Sequence, residues 1–122
     1  MGKDLHYLIL EFFKQRMRAH GKVRDFSEIE DDNNIIYHIE RVEGLPDLNV
    51  HLSDAYIYTL HDYYSKPQVL GMGDFILSAR PEADFDEEIV AVAAKDRIGI
   101  GKIGKFMSAL HHKDVWSCDG AS

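Results

Sequence analysis

Four strand-like segments follow one another through the middle of this sequence, without a helical segment between them. They are residues 23–30, 35–43, 48–58 and 74–79, each rich in alternating or β-branched residues. Strands that follow one another along the chain pair most simply as antiparallel neighbours, because a short hairpin joins them. The polar cluster at 31–34 is typical of such a hairpin turn. The middle of the chain therefore predicts a largely antiparallel sheet.

An amphipathic helical segment stands on each side of these strands. In residues 3–19 the apolar side chains recur at helical spacing, at Leu5, Leu8, Ile9, Phe12, Phe13 and Met17. Residues 100–112 repeat the pattern at Ile103, Phe106, Met107 and Leu110. We predict an α+β fold in which an N-terminal and a C-terminal helix flank a mixed sheet.

The run 89–94, Ile-Val-Ala-Val-Ala-Ala, is apolar throughout. An uninterrupted apolar run of this length is typical of a strand that is covered on both faces. We therefore predict that residues 89–94 form the central strand of the sheet. A last short strand at 115–118 would follow the C-terminal helix, which permits one right-handed parallel crossover.

The composition is that of a single globular domain spanning residues 1–122. Its hydrophobic fraction of 45% and charged fraction of 29% are ordinary for a folded domain of this length. The one cysteine, Cys118, cannot form a disulfide within the chain, so an oxidising compartment is not implied. No apolar stretch approaches the roughly 20 residues that a membrane helix needs, and the N-terminal residues do not resemble a signal peptide. We predict a cytoplasmic protein that does not contact a membrane.

The net charge of −7 is distributed unevenly along the chain. Residues 1–24 carry six basic and two acidic side chains, residues 25–94 carry three and sixteen, and residues 95–122 carry five and three. The acidic middle would repel nucleic acid. The basic residues of the two terminal helices would offer nucleic acid a binding surface if the ends of the chain meet in space. The alternative is an ordinary solvated surface.

An acid and a lysine stand beside the predicted strands. Asp74 opens the segment 74–79, and Lys95 follows the apolar run. The chain resembles the restriction-endonuclease-like superfamily here, in particular the Mrr-type enzymes and the archaeal Holliday-junction resolvases. The resemblance lies in the string Lys95-Asp96-Arg97-Ile98-Gly99 and in Ile103, Phe106, Ala109 and Leu110.

This resemblance implies a restriction-endonuclease-like order of helices and strands and the chemistry of a metal-dependent endonuclease. Asp74 would bind Mg²⁺ or Mn²⁺, with Glu11 as an accessory ligand, and Lys95 would stabilise charge at the attacked phosphate. The family places Glu or Gln two residues before the lysine, and this sequence has Ala93 there. A methyl group cannot bind a metal ion, so we predict weak or absent catalysis.

Two functions remain open at this point. The first is a small binding module on a nuclease-like scaffold, catalytically weak or silent, with an inhibitor, immunity or defence-related role. The second is a metal-dependent endonuclease that acts on DNA or RNA. Ala93 and the net charge favour the first function, whereas the string that begins at Lys95 favours nuclease descent.

The segment 56–64 contains four tyrosines, Tyr56, Tyr58, Tyr63 and Tyr64. Tyrosine adds a large contact area and a polar tip at protein interfaces, and it is also common in strands. The segment is therefore either core or interface. We predict self-association or a protein partner at this surface.

Two other patterns concern cofactors. The spacing Gly99-x-Gly101-x-x-Gly104 fits a dinucleotide-binding loop, but the chain lacks the strand–helix–strand order that such a loop needs. Helix-capping glycines are the other interpretation, and we predict no nucleotide cofactor. The seven histidines have no His-x-x-x-His spacing on a predicted helix, so we do not assign them to a metal.

Overall fold

The computed structural model describes residues 7–80 and 82–117 of the chain. Its helices are α1 (Tyr7–Ala19), α2 (Leu60–Tyr64), α3 (Glu87–Lys95) and α4 (Ile103–Ala109), followed by a 3₁₀ helix (Val115–Ser117). Its strands are β1 (Val23–Ile29), β2 (Ile35–Arg41), β3 (Leu48–Ser53), β4 (Ile57–Tyr58), β5 (Phe75–Ser78), β6 (Asp84–Phe85) and β7 (Gly99–Gly101). The predicted α+β class is confirmed. No helix in the described ranges is both long and apolar enough to cross a membrane.

Five strands form the main sheet in the order β1-β2-β3-β5-β7. The pairs β1–β2 and β2–β3 are antiparallel, and the pairs β3–β5 and β5–β7 are parallel. β4 and β6 form a small separate parallel pair. The predicted mixed sheet, flanked by an N-terminal and a C-terminal helix, is therefore confirmed. It is not largely antiparallel, because β3, β5 and β7 pair in parallel. The restriction-endonuclease-like order of elements stays a prediction.

The first hairpin is present where the polar cluster predicts it. β1 pairs with β2 up to Ile29, which lies opposite Ile36. In the turn, the Asp31 carboxylate accepts hydrogen bonds from the backbone N–H groups of Asn33 and Asn34, both at 2.9 Å. An aspartate that bonds to the backbone two residues ahead stabilises a turn locally. The turn therefore follows from the sequence of the cluster itself.

Helices cover both faces of the main sheet, and each face has its own core. The first core lies under α1 and α4 and includes Phe13 and Phe106. The second core lies under α2 and α3 and includes Ile89. Successive side chains of a strand point to opposite faces, so the neighbours Ile76 and Leu77 of β5 belong to the second and the first core respectively.

The prediction of a central strand at 89–94 is wrong, because these residues form most of α3. Asp86 caps this helix, and its side chain accepts a hydrogen bond from the Glu88 N–H at 3.1 Å. Ile89 and Ala93, one turn apart, are buried, whereas Ala91 is exposed. Alanine is the strongest helix former, and a short apolar run cannot be assigned to helix or strand from its pattern alone.

The tyrosine-rich segment does not continue the strand predicted at 48–58. β3 ends at Ser53, and the chain proceeds through β4 into α2. Thr59 and Asp62 cap α2 reciprocally: the Thr59 side chain accepts from the Asp62 N–H, and the Asp62 side chain accepts from the Thr59 N–H. This capping box forms a helix start inside a segment whose β-branched and aromatic residues suggest a strand.

The C-terminal part of the chain also differs from the predictions. The last helix begins at Ile103, because residues 99–101 form β7. The segment 115–117 is a 3₁₀ helix and not a strand. Cys118 and residues 3–6 of the predicted first helix lie outside the described residues.

Gly99 allows close packing and does not cap a helix. Gly99 and Gly101 lie in β7, and Gly104 lies in α4. A Cβ at Gly99 would lie 2.5 Å from Cδ2 of Phe75 and 3.1 Å from the carbonyl oxygen of Val115. The missing side chain therefore lets Phe75 and the 3₁₀ helix approach β7.

Arg41 joins the end of β2 to the C-terminal end of α4. It is 2% exposed. Its Nε donates a hydrogen bond to the Pro46 carbonyl at 2.7 Å, and its Nη1 donates to the carbonyls of Leu110 and His112 at 3.1 and 2.7 Å. Burial lowers the pKa of Arg41, and the nearby Asp47 opposes this change. The guanidinium thus supplies donors to carbonyls that a helix end leaves unpaired.

Candidate functional site

Asp74 lies at the end of the sheet where the parallel strands begin, immediately before β5. Its Oδ1 accepts a hydrogen bond from the Asn49 N–H, and its Oδ2 accepts one from the Gly71 N–H, both at 2.8 Å. The residue is 8% exposed. Burial raises the pKa of the Asp74 carboxyl, although the two backbone hydrogen bonds act in the opposite direction. Through these two hydrogen bonds the Asp74 side chain joins the start of β3 to the loop that precedes β5.

Lys95 is the last residue of α3, and the segment after it reaches the same edge. The Gly73 N–H donates to the Arg97 carbonyl at 2.7 Å, and the Gly99 N–H donates to the Asp74 carbonyl at 3.0 Å. The backbone of Asp74 thus lies beside the segment that follows Lys95. The Lys95 side chain is exposed. The structure therefore places both predicted site residues at one edge of the sheet, with Lys95 ending a helix and not a strand.

Glu11 lies apart from this edge. It is an exposed residue of α1, and its carboxylate is 3.5 Å from Nζ of Lys14. α1 covers the first core, whereas α3, which carries Lys95, covers the second core on the opposite face. Among residues 7–80 and 82–117 no group of three or more His, Cys, Asp or Glu side chains is placed to hold a metal ion. The metal-binding roles of Asp74 and Glu11 stay predictions.

The four tyrosines divide into a buried pair and an exposed pair. Tyr58 and Tyr63 are 2% and 0% exposed and belong to the second core. The Tyr63 hydroxyl donates to the Asp96 carboxylate at 2.5 Å. Tyr56 and Tyr64 are 60% and 70% exposed. A partner could therefore contact Tyr56 and Tyr64 at the surface, while Tyr58 and Tyr63 support the fold.

An apolar groove lies at the opposite edge, beyond the carboxyl ends of β3 and β5. We call it the carboxyl-edge groove; its volume is about 470 Å³. Open sheets with parallel strands commonly bind their ligands outside the carboxyl ends of those strands. The apolar walls of the groove are Leu8, Ile9, Phe12, Phe13, Leu52, Leu77, Ala79 and Ile103.

α1 leaves apolar side chains exposed at this groove. Phe13 and Met17, one turn apart, enter the first core. Leu8 and Phe12 form a second stripe beside them and remain 58% and 43% exposed. Residues four apart lie on the same side of a helix, so each pair forms a continuous apolar stripe. The first core covers one stripe and leaves the other at the groove.

Arg80 joins the carboxyl-edge groove to Tyr56. It lines the groove just after the end of β5. Its Nε donates a hydrogen bond to the Asp54 carbonyl at 2.6 Å, and its guanidinium carbon lies 4.5 Å from the centre of the Tyr56 ring. Lys102 lines the groove as well. The groove therefore has apolar walls, a cationic rim and an exposed tyrosine next to the rim.

No protein-family model, curated protein or solved structure matches this chain. The case for a function therefore depends on the geometry of the two edges of the sheet. The resemblance to the restriction-endonuclease-like superfamily stays a prediction carried by the string that begins at Lys95.

Sequence reasoning missed Arg80 and the exposed side of α1. One signal was present: Leu8 and Phe12 each stand one residue before another apolar residue, which widens the apolar stripe of the helix. For Arg80 the sequence showed only that a charged residue follows a predicted strand.

The C-terminal ends of α1 and α4 meet, as a shared basic surface would require. The rings of His20 and His111 are 4.6 Å apart, and Nε2 of His20 lies 2.9 Å from the Met107 carbonyl oxygen. Nδ1 of His20 accepts a hydrogen bond from the Lys22 backbone N–H at 3.0 Å. Burial, together with His20, Lys22 and His112, lowers the pKa of His111. Nucleic-acid binding through the terminal helices stays a prediction.

Proposed function

We propose that this chain is a cytoplasmic binding module, catalytically weak or silent, which engages a protein partner through the carboxyl-edge groove and Tyr56. The observation that carries the proposal is the position of Arg80, between the exposed apolar side chains of α1 and the exposed Tyr56. An inhibitor, immunity or defence-related role is the setting that we propose for a module of this kind.

Three features of this surface favour association. Leu8, Phe12 and Tyr56 expose large apolar areas, and burying such area contributes about 25 cal/mol per Å². Single exposed apolar residues are ordinary on a monomer, but here they border a groove and an oriented guanidinium. Arginine and tyrosine are also among the residues that most often dominate binding energy at interfaces.

We infer the chemistry of the proposed partner from the lining of the groove. Its apolar walls would accept a side chain such as leucine or phenylalanine. Its cationic rim, Arg80 and Lys102, would attract carboxylates. One Arg80 donor is used by the Asp54 carbonyl, and a guanidinium has further N–H groups that can pair with a carboxylate. We therefore propose a partner segment that presents apolar side chains flanked by Asp or Glu.

Photo-crosslinking from the groove tests this proposal. We expect p-benzoylphenylalanine in place of Phe12 to form a covalent adduct with a defined protein in cells that naturally produce this chain, because Phe12 is an exposed wall of the groove. Mass spectrometry of the adduct identifies the partner. Arg80→Glu in the same chain is expected to lower the adduct yield by about 10-fold, because it replaces attraction to carboxylates with repulsion.

The matched control carries the same photoreactive residue at Gln15, which is exposed on α1 and is not a wall of the groove. We expect no defined adduct from this position. Equal adduct yields from positions 12 and 15, or a Phe12 adduct that Arg80→Glu does not change, would show that the groove is not a specific binding site.

The metal-dependent endonuclease is the second candidate, because the backbone of Asp74 contacts the segment that follows Lys95. We expect DNA and RNA, single- and double-stranded, to stay intact in the presence of Mg²⁺ or Mn²⁺. The Asp74 carboxylate already accepts two backbone hydrogen bonds, and Ala93 supplies no ligand. Cleavage followed on gels checks this expectation.

Metal-dependent cleavage that Lys95→Ala abolishes would establish the endonuclease in place of the binding module. Lys95 is the informative position because its exposed side chain can be removed without disturbing a core. Asp74→Ala is less informative, since it would also remove the hydrogen bonds to Asn49 and Gly71.

A further inference from the structure

His38 is oriented by a hydrogen bond on the second face of the main sheet. It lies in β2 between Tyr37 and Ile39, which enter the first core, so its side chain points to the opposite face. Asn49 of β3 is its direct cross-strand neighbour, and the His38 Nδ1 lies 2.8 Å from the Asn49 Oδ1. An amide oxygen can only accept a hydrogen bond, so Nδ1 is the donor. In the neutral ring, Nε2 then carries the lone pair that can bind a metal ion.

Asp47 lies beside the Nε2 atom of His38. The distance from this nitrogen to the Asp47 Oδ2 is 3.7 Å, which is too long for a hydrogen bond. The other carboxylate oxygen, Oδ1, accepts a hydrogen bond from the Arg41 backbone N–H at 3.2 Å. Each of the two side chains thus uses one polar atom to hold its position and leaves the other beside its neighbour. Both side chains reach solvent, with exposed fractions of 38% for His38 and 45% for Asp47.

The separation of these two atoms suits a shared metal ion. Zinc binds imidazole nitrogen and carboxylate oxygen at about 2.0–2.2 Å, and two such ligands at a tetrahedral angle lie about 3.4 Å apart. A small rotation of either half-exposed side chain is enough to close the difference from 3.7 Å. Metal ligands in proteins are usually oriented by a second hydrogen bond on the side away from the metal. Here Asn49 supplies that hydrogen bond to His38, and the Arg41 N–H supplies it to Asp47.

We propose that a divalent transition-metal ion such as Zn²⁺ binds between the His38 Nε2 and the Asp47 Oδ2. A nitrogen and an oxygen ligand suit Zn²⁺, whereas Mg²⁺ and Ca²⁺ prefer oxygen ligands alone. Residues 7–80 and 82–117 place no group of three His, Cys, Asp or Glu side chains around a metal ion, so water would fill the remaining coordination positions. Neither residue is a wall of the carboxyl-edge groove, and the metal site is therefore independent of the proposed partner site.

Two neighbouring charges act on the bound ion in opposite directions. The Asp74 carboxylate is close enough to His38 to interact with it electrostatically, and it would attract the ion. The Arg41 guanidinium interacts in the same way with Asp47, and it would repel the ion. Two protein ligands also bind less tightly than the four of a structural zinc site. We therefore expect a modest dissociation constant for Zn²⁺, on the order of 10–100 μM.

Isothermal titration of the full chain with Zn²⁺ tests this site. His38→Gln and Asp47→Asn are each expected to raise the dissociation constant by about 10-fold or more, because each removes one of two protein ligands. Asp47→Asn retains an oxygen that can accept the Arg41 N–H, and its amide NH₂ group, which cannot bind a metal ion, then lies toward His38. This substitution therefore removes the ligand while it preserves the turn before β3.

Two substitutions of Asn49 test whether it positions His38. Asn49→Leu removes the acceptor of the Nδ1 hydrogen bond and is expected to raise the dissociation constant for Zn²⁺ by about 10-fold. Asn49→Asp keeps an acceptor and adds a negative charge, so it should lower the dissociation constant. A merely structural role of Asn49 would not produce opposite effects from these two substitutions.

His61→Gln is the matched control, because it removes an exposed histidine of α2 and should leave the dissociation constant unchanged. Nuclear magnetic resonance of the histidine ring nitrogens identifies the ligand atom, and Zn²⁺ should shift the Nε2 signal of His38. A chain that shows no saturable binding below about 1 mM Zn²⁺ would overturn the proposal. So would a dissociation constant that neither His38→Gln nor Asp47→Asn changes, or a Zn²⁺-induced shift confined to other histidines.

Discussion

Replacing Arg41 with leucine is expected to lower the free energy of unfolding by about 3–5 kcal/mol, because each buried carbonyl oxygen left without a donor costs about 1–3 kcal/mol. The guanidinium is buried and donates to three carbonyl oxygens, those of Pro46, Leu110 and His112. Leucine supplies no donor, so these carbonyls stay desolvated without a partner. The contact between the end of β2 and the end of α4 would then be lost.

Urea unfolding followed by circular dichroism measures this effect. Arg18→Leu is the matched control, because Arg18 is exposed on α1 and lies over the Phe26 ring at 5.9 Å; its loss should cost less than about 1 kcal/mol. Arg41→Lys should recover only a small part of the stability, since a single ammonium cannot reproduce the fork of the guanidinium. A loss no larger for Arg41→Leu than for Arg18→Leu would contradict the structural role of Arg41.

Acidification is expected to lower the free energy of unfolding, because the buried His51 would have to take up a proton. His51 lies in β3 and is 7% exposed, and its Nδ1 has no hydrogen-bond partner among the described residues. Burial lowers the pKa of His51 from 6.5 to about 4, while Asp54 and Asp31 act in the opposite direction. A proton on this ring would be buried without an acceptor. The folded protein therefore favours neutral His51.

The direction of the pH dependence follows from the two pKa values of His51, which are 6.5 in the unfolded chain and about 4 in the folded protein. As the pH falls below 6.5, the unfolded chain protonates His51 before the folded chain does. The contribution of His51 to stability is complete above that pH and decreases until the folded-state value of about 4 is reached. At about 1.36 kcal/mol per unit of pKa difference, the loss amounts to roughly 3 kcal/mol.

Urea unfolding at a series of pH values between 8 and 4 measures the loss. In His51→Leu, the decrease in the free energy of unfolding between pH 8 and pH 4 should be smaller by roughly 3 kcal/mol, because no group titrates at this position. His61→Gln is the matched control, because it removes an exposed histidine in place of a buried one. A profile for His51→Leu that is as steep as that of the unaltered chain would show that another group causes the acid sensitivity.

Sequence patterns predicted the parts of the fold that depend on residues close together in the sequence. The apolar spacing in residues 3–19 predicted a helix, which the structure describes over Tyr7–Ala19, and the polar cluster at 31–34 predicted the turn between β1 and β2. The same reasoning failed at 89–94, where strand and helix both accept an unbroken apolar run. It also failed in the strand predicted at 48–58, because β3 ends at Ser53 and the reciprocal cap of Thr59 and Asp62 begins a helix soon afterwards.

The candidate site could be predicted only in part. Asp74 and Lys95 stood out in the sequence, and the structure places them at one edge of the sheet. Whether a carboxylate binds a metal ion or accepts backbone hydrogen bonds depends on the residues around it, and Asp74 accepts two such bonds. Arg80 acquires its position from the Asp54 carbonyl and the Tyr56 ring, which lie far from it in the sequence.

Sequence alone determined the helix α1, the first hairpin and the α+β class, because helical and strand periodicity and turn chemistry act over a few consecutive residues. Tertiary structure alone decided which apolar and aromatic side chains are buried. Tyr58 and Tyr63 enter the second core while Tyr56 and Tyr64 do not, although all four stand within one short segment. Burial depends on the elements that pack over a residue, and here those elements, α3, β5 and β7, come later in the chain.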